Sequence, residues 1–187
     1  MDQVYLKATR GNSEIDKFSK YVVKLKTVQR QGWKTKLNLH HPESVADHSY
    51  SMAFIGVLIS DSKNLDTLRI VKMILIHDLA EALTGDFLPG SITKSRKQRL
   101  EDQAMKKILK NLPKRPRNEF YEIWQEYTNK STLESKLVHQ IDKLEMAIQA
   151  SEYADSGIPR KNIMTFLNSA KQSIKDPELK KILSKFL

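Results

Sequence analysis

Ile70-Val71-Lys72-Met73-Ile74-Leu75-Ile76-His77-Asp78-Leu79-Ala80-Glu81-Ala82-Leu83 is the stretch that decides the fold: ten of its fourteen residues are apolar, and the exceptions are Lys72, His77, Asp78 and Glu81. Hydrophobic on most sides, it reads as a helix buried at the centre of a helical protein. The spacing predicts a helix from about Leu65 to Thr84, stopped at Gly85, a residue suited to a left-handed cap. Within such a helix His77 and Asp78 are costly, because an unpartnered buried carboxylate costs several kcal/mol or more. A bound divalent cation would offset that cost, taking a neutral imidazole and an ionised carboxylate as ligands. Adjacent helical residues lie about 100° apart, so the two side chains converge on one ion only near the side or end of the helix. Glu81 stands one turn beyond His77, and Asp86 lies just past the helix end. Four candidate ligands therefore fall within one short stretch.

Outward from this segment the chain reads as helices throughout. Ile15, Phe18, Val22 and Leu25 predict a helix over Glu14 to about Val28, and the stretch from Arg30 to Pro42 reads as irregular. A helix begins at Ser44, an N-cap whose capping-box partner is Asp47, with Val45, His48, Met52, Ile55 and Ile59 as its inward stripe. Beyond Pro89-Gly90 a charged helix is predicted over about Thr93 to Leu112, another after Pro116, and a long one over Leu133 to Asp155. Two shorter helices follow Gly157-Ile158-Pro159, the last starting at Asp176-Pro177, an N-cap followed by proline at the first helical position. Alternating strand-like segments, repeats and linkers are not found. The expectation is a single all-α domain over residues 1–187, with a core over about 14–173 and a C-terminal helix at about 176–187 packed on it.

Two more residues join the candidate ligands. His48 sits on the inward stripe of its helix, a place where a histidine is ordinarily a hydrogen-bonded core residue. Asp142 lies beside the apolar stripe of the long helix, four residues from Val138 and Met146, and alone would read as a partner of Lys143. The combination, on three helices able to surround one point, favours a metal site. His40-His41 and His139 receive no role.

Composition sets the outer limits. The 187 residues are 40% hydrophobic and 29% charged, as in globular domains. With no cysteine, any metal must rest on nitrogen and oxygen. The longest apolar run, Met52 to Ile59, is too short to span a membrane, and Met1–Arg10 lacks the apolar core of a secretory signal, so a cytoplasmic location is expected. The net charge of +10 implies anionic partners, and the excess is concentrated between Lys94 and Arg117. That run has no interleaved aromatics and reads as a solvated face, so nucleic acid is not the expected partner.

Three words carry a resemblance: Glu43-Ser44-Val45-Ala46-Asp47-His48-Ser49, then Ile76-His77-Asp78-Leu79-Ala80-Glu81-Ala82-Leu83-Thr84-Gly85-Asp86, then Gln140-Ile141-Asp142-Lys143-Leu144-Glu145-Met146. With Arg30-Gln31-Gly32-Trp33 before them and Gln149-Ala150-Ser151-Glu152-Tyr153 after, the chain resembles the HD-domain superfamily from about Phe18 to Phe186, and within it the 5'-deoxynucleotidase branch. The resemblance implies a helical bundle with the metal between central helices. It implies a first metal on His48, His77, Asp78 and Asp142. Glu81 and Asp86 would hold a second metal or meet the substrate, with the Phe87 carbonyl as a further ligand. Arg30 would contact the phosphate and Trp33 would pack on the nucleotide, although Gln31-Gly32 separates two residues that are adjacent in other branch members. A homodimer is implied as well.

The chemistry expected is hydrolysis of a nucleoside monophosphate. Two histidines and two carboxylates suit a divalent transition metal: manganese, cobalt, iron or nickel. Glu81, one turn from His77, is the candidate proton shuttle. The rival readings are another HD-family phosphohydrolase or phosphodiesterase, and a basic helical nucleic-acid-binding protein. The second leaves a His-Asp pair in an apolar helix without purpose.

Overall fold

A computed structural model of the protein describes residues 11–187, so the reading of Met1–Arg10 lies outside the described residues. The architecture is all-α. In chain order the helices are α1 (Gly11–Lys24), α2 (Gln31–Leu37), α3 (Val45–Ser62), α4 (Thr67–His77), α5 (Glu81–Thr84), α6 (Lys94–Leu109), α7 (Lys114–Asn129), α8 (Leu133–Asp155), α9 (Arg160–Ser173) and α10 (Pro177–Leu183). Among the described residues the sole β pairing is one antiparallel bridge, Gln29 to Ser44.

The capping residues do much of the work of placing these helices. Ser44 accepts from the Asp47 N–H while Asp47 accepts from the Ser44 N–H, so α3 starts on the predicted box. Thr132 and Ser135 make the same reciprocal pair at the start of α8, whose bounds are those predicted. Asp176 caps α10 and holds Lys63 of the α3 terminus at 2.8 Å.

Three helices form the centre. α3, α4 and α8 pack mutually, and α9, α7 and α10 pack around α8. One contact in this centre is unusually close. A Cβ at Gly56 of α3 would fall 2.5 Å from Ile74 Cδ1 and 3.3 Å from Ile70 Cγ2, so glycine is what lets α4 approach. One continuous core includes Trp33, Met52, Ile70, Met73, Ile74, Ile108, Trp124, Ile141, Leu144 and Leu167.

The structure corrects four expectations. The helix predicted over Leu65–Thr84 is two: α4 ends at His77, Asp78 takes φ −110° and ψ 12°, and hydrogen bonds spanning three residues (Leu79 to Ile76, Glu81 to Asp78, Ala82 to Leu79) lead into α5. The apolar pattern runs on through this break, because both sides of it face the core. Gly85 keeps a positive φ of 73°, but its ψ of 166° is extended and no left-handed cap forms. The stretch from Arg30 to Pro42 also contains a helix, α2. Before it, the first helix ends at Lys24 and passes into a 3-10 turn, Leu25–Thr27.

The Gln29–Ser44 bridge, with Arg30 N–H on the Glu43 carbonyl at 3.1 Å and Val45 N–H on the Val28 carbonyl at 2.9 Å, pins the start of α2 beside the start of α3. Trp124 and Phe166 are 1% and 7% exposed and belong to the core.

Candidate metal centre

Two central helices deliver His48 (α3) and His77 (last residue of α4) to one point, the break after α4 swings Asp78 to the same point, and α8 sets Asp142 beside it against His48. His48, His77 and Asp78 each offer one atom within 4.8 Å of the others. The two imidazole centroids are 5.5 Å apart. His77 Nε2 lies 3.1 Å from Asp78 Oδ2, and His48 Nε2 lies 3.4 Å from Asp142 Oδ1.

The outer nitrogens show which atoms face inward. His77 Nδ1 donates to the Ile74 carbonyl at 2.6 Å, and His48 Nδ1 donates to Glu145 at 2.5 Å. A carbonyl or carboxylate at that place only accepts, so each Nδ1 carries a proton and each Nε2 is left for the centre. Both Nε2 atoms are buried without a hydrogen-bond partner, as is Glu81 Oε2. Buried polar atoms are rarely left so, and three of them around two carboxylates fit a divalent cation. The donor set of two imidazoles and two carboxylates, without sulfur, suits a transition-metal ion.

Electrostatics tie the group together. Burial raises the pKa of Asp78 and of Asp142, but their neighbours outweigh burial and hold both carboxylates ionised: His77 and Arg30 beside Asp78, Lys143 and His48 beside Asp142. Burial and the charge of Arg30 lower the His48 pKa, yet Asp142 and Glu145 outweigh them and raise it to about 9. Glu81, 3% exposed, goes the other way: burial and the charges of Asp78 and Asp86 push its pKa well up.

Arg30 reaches Asp78 at 3.3 Å, Asp142 at 4.0 Å and Glu43 at 3.9 Å, in the midst of this group. A cavity of about 160 Å³ opens beside it, lined among others by Arg30, Trp33, Glu81, Asp86, Phe87 and Asp142. Asp86 Oδ2 accepts the N–H of Gln31 at 2.6 Å, so a residue 55 positions away caps α2 and fixes Arg30 at its start. Trp33 borders the cavity but is 1% exposed, its ring against Phe166 at 4.2 Å and Tyr153 at 5.3 Å, its Nε1–H on Glu43 at 2.7 Å. It supports the cavity wall rather than offering an open face to a base. Lys143 does pair with Asp142, at 3.0 Å, as the plainer reading of Asp142 expected, while Asp142 also faces His48.

Sequence reasoning gave no role to two glutamates. Glu145, 2% exposed, orients His48, and Glu43 joins Trp33 to Arg30. Glu145 was within reach of the argument applied to Asp78: it interrupts the apolar run Leu144 to Ala147 three residues after Asp142. Glu43 had no such signal, since its role comes from the bridge that folds residue 30 onto residue 43.

The helices, the paired His77-Asp78 and the ligand group place the chain in a known class, and a family model described as HD domain matches residues 22–182. The protein belongs to the HD domain family. It is 39% identical over 175 residues to a Homo sapiens protein named 5'-deoxynucleotidase HDDC2, covering 93% of this chain and 85% of that one. It is 35% identical over 162 residues to Saccharomyces cerevisiae 5'-deoxynucleotidase YGK1, covering 84% of this chain and 74% of that one. Among solved structures, a conserved hypothetical protein from Pyrococcus furiosus superposes with a TM-score of 0.75 at 34% identity, over 92% of this chain and 98% of that one. No helix among the described residues is long and apolar enough to cross a membrane.

Proposed function

We propose that the protein is a cytoplasmic, metal-dependent 5'-deoxynucleotidase that hydrolyses deoxyribonucleoside 5'-monophosphates to deoxynucleoside and phosphate. The observation that carries this reading is the pair of buried, unpartnered Nε2 atoms facing two carboxylates, one of which, Asp142, lines a cavity that also holds an arginine. The relatives' shared name supports the substrate class.

His48, His77, Asp78 and Asp142 would hold one divalent ion, with manganese, cobalt, iron or nickel suited to the donors. Glu81, Asp86 and the Phe87 carbonyl remain candidates for a second ion. Such an ion supplies positive charge to the phosphoryl oxygens and makes nearby water more acidic. Arg30, fixed by the Asp86 cap and by Asp78, faces the phosphate and stabilises charge developing on it. Glu81 holds a proton in a dry position next to the reacting group and passes it to the leaving sugar oxygen. Trp33 keeps the nucleoside wall in shape through Phe166 and Glu43. Glu145 positions His48, and Glu145→Gln should weaken divalent-ion binding by about 10–100-fold, read by calorimetric titration.

We also read the chain as a single domain and as a homodimer. Tyr50, Phe54, Val57 and Leu58 are exposed at helical spacing on α3, an apolar face suited to a second copy. Sedimentation of a monomer at every concentration would remove the dimer from this reading.

The deciding assay is phosphate release from a panel of nucleoside monophosphates, using protein stripped of metal and then reloaded. Deoxyribonucleotides should be cleaved after reloading and not before. No release with any transition metal, together with salt-sensitive DNA binding, would overturn the assignment in favour of the basic helical binding protein.

A further inference from the structure

The basic run on α6 reads from sequence as a solvated face, and most of it is exposed: Lys94, Arg96, Arg99, Lys106 and Lys107 face outward. Lys97 differs in position. It is the one residue of α6 that lines the 160 Å³ cavity, together with Arg30, Glu81, Asp86 and Asp142. It also borders a second cavity of about 280 Å³, shared with His77, Glu101, Tyr127 and His139. Its ammonium therefore stands beside the candidate metal group from the α6 side, and Glu101 holds it there at 3.3 Å, one turn on. Burial lowers the Lys97 pKa, but Glu101, Asp78 and Glu81 outweigh burial and raise it, so the group stays charged through the neutral range.

Three cations line the first cavity. Arg30 is paired with Asp78, and Lys143 with Asp142. Both are tied to carboxylates assigned to the ion. Lys97 is paired outside that set, and an ammonium has three donors of which Glu101 uses one. A phosphate monoester carries between one and two negative charges near neutral pH, with oxygens pointing in several directions. One arginine, itself tied to Asp78, cannot supply donors to all of these oxygens.

We propose that Lys97 binds the phosphate group of the substrate from the α6 side of the cavity it shares with Arg30, and that Glu101 is its positioning residue. The proposal rests on the phosphatase reading above.

The test uses the full chain loaded with manganese. Inorganic phosphate, the product, is titrated into wild type, Lys97→Met and Lys97→Arg, and the same proteins are assayed with deoxyadenosine 5'-monophosphate. Lys97→Met should bind phosphate about 10–100-fold more weakly, the scale of a lost hydrogen bond to a charged group, with KM raised and manganese affinity unchanged. Lys97→Arg should recover most of the loss. Glu101→Gln should weaken phosphate binding less, and should add nothing in the Lys97→Met background. A lysine serving only as a solvated helix pair would shift Tm slightly and leave phosphate affinity alone. Lys97→Met that binds phosphate as wild type does, or that loses manganese and phosphate together, overturns the proposal. If wild type releases no phosphate from any nucleotide, the functional reading fails, while the phosphate titration still decides on Lys97.

Discussion

His77→Ala should abolish turnover, lowering kcat/KM by about 10³-fold or more. The ring is 3% exposed, its Nδ1 is anchored on the Ile74 carbonyl, and its Nε2 faces Asp78 without a hydrogen-bond partner. Removing it takes away one of two nitrogen donors, and the several kcal/mol of charge stabilisation that a held ion supplies translates to rate at about 1.4 kcal/mol per tenfold. The loss is separable from misfolding. Wild type should gain thermal stability on adding manganese, about 2.7 kcal/mol at a hundredfold excess over Kd, and the variant should gain little. Circular dichroism of the two metal-free proteins should agree, because the helices are capped and packed by other residues. A His77→Ala enzyme with full activity would sink the ligand assignment.

Glu81→Gln should lower kcat by about 10²–10⁴-fold, the usual contribution of a positioned proton donor or acceptor. The substitution is isosteric, so the cavity keeps its shape. Burial and two neighbouring carboxylates make the ionised form of Glu81 unfavourable, and an amide at that place has no charge to pay for. Metal-free Glu81→Gln protein should therefore melt at the wild-type temperature or above. Manganese affinity separates the two roles open to this residue. Unchanged affinity with a lowered kcat marks a proton shuttle; a weakened affinity marks a ligand of a second ion, and the shuttle role falls.

How much of this was legible beforehand depends on where the information lies along the chain. Boundaries written locally were readable: the Ser44–Asp47 box and the Asp176-Pro177 start appear as expected, and α8 runs from Leu133 to Asp155. His48 was readable as inward because it shares the stripe of Val45 and Met52. The break at Asp78 was not, since hydrophobic periodicity reports burial and both sides of the break are buried. Nor was the placement of Arg30. It depends on an Asp86 cap 55 residues away and on a bridge to Ser44, neither of which leaves a periodic trace. Trp33, which the resemblance implies packs on the nucleotide, lines the cavity while Phe166 and Tyr153, distant in sequence, enclose its ring, and no periodicity announces those contacts.

Gly56 has no functional group and touches none of the proposed ligands, yet it governs how near α4 can come to α3. His48 rides on one of these helices two turns away, and His77 ends the other. The separation of the two imidazoles, the bite that an ion of given radius must match, is thus gauged by a missing methyl group. Enlarging residue 56 would act like a shim between the jaws of a calliper, altering which ions fit without exchanging a single ligand residue.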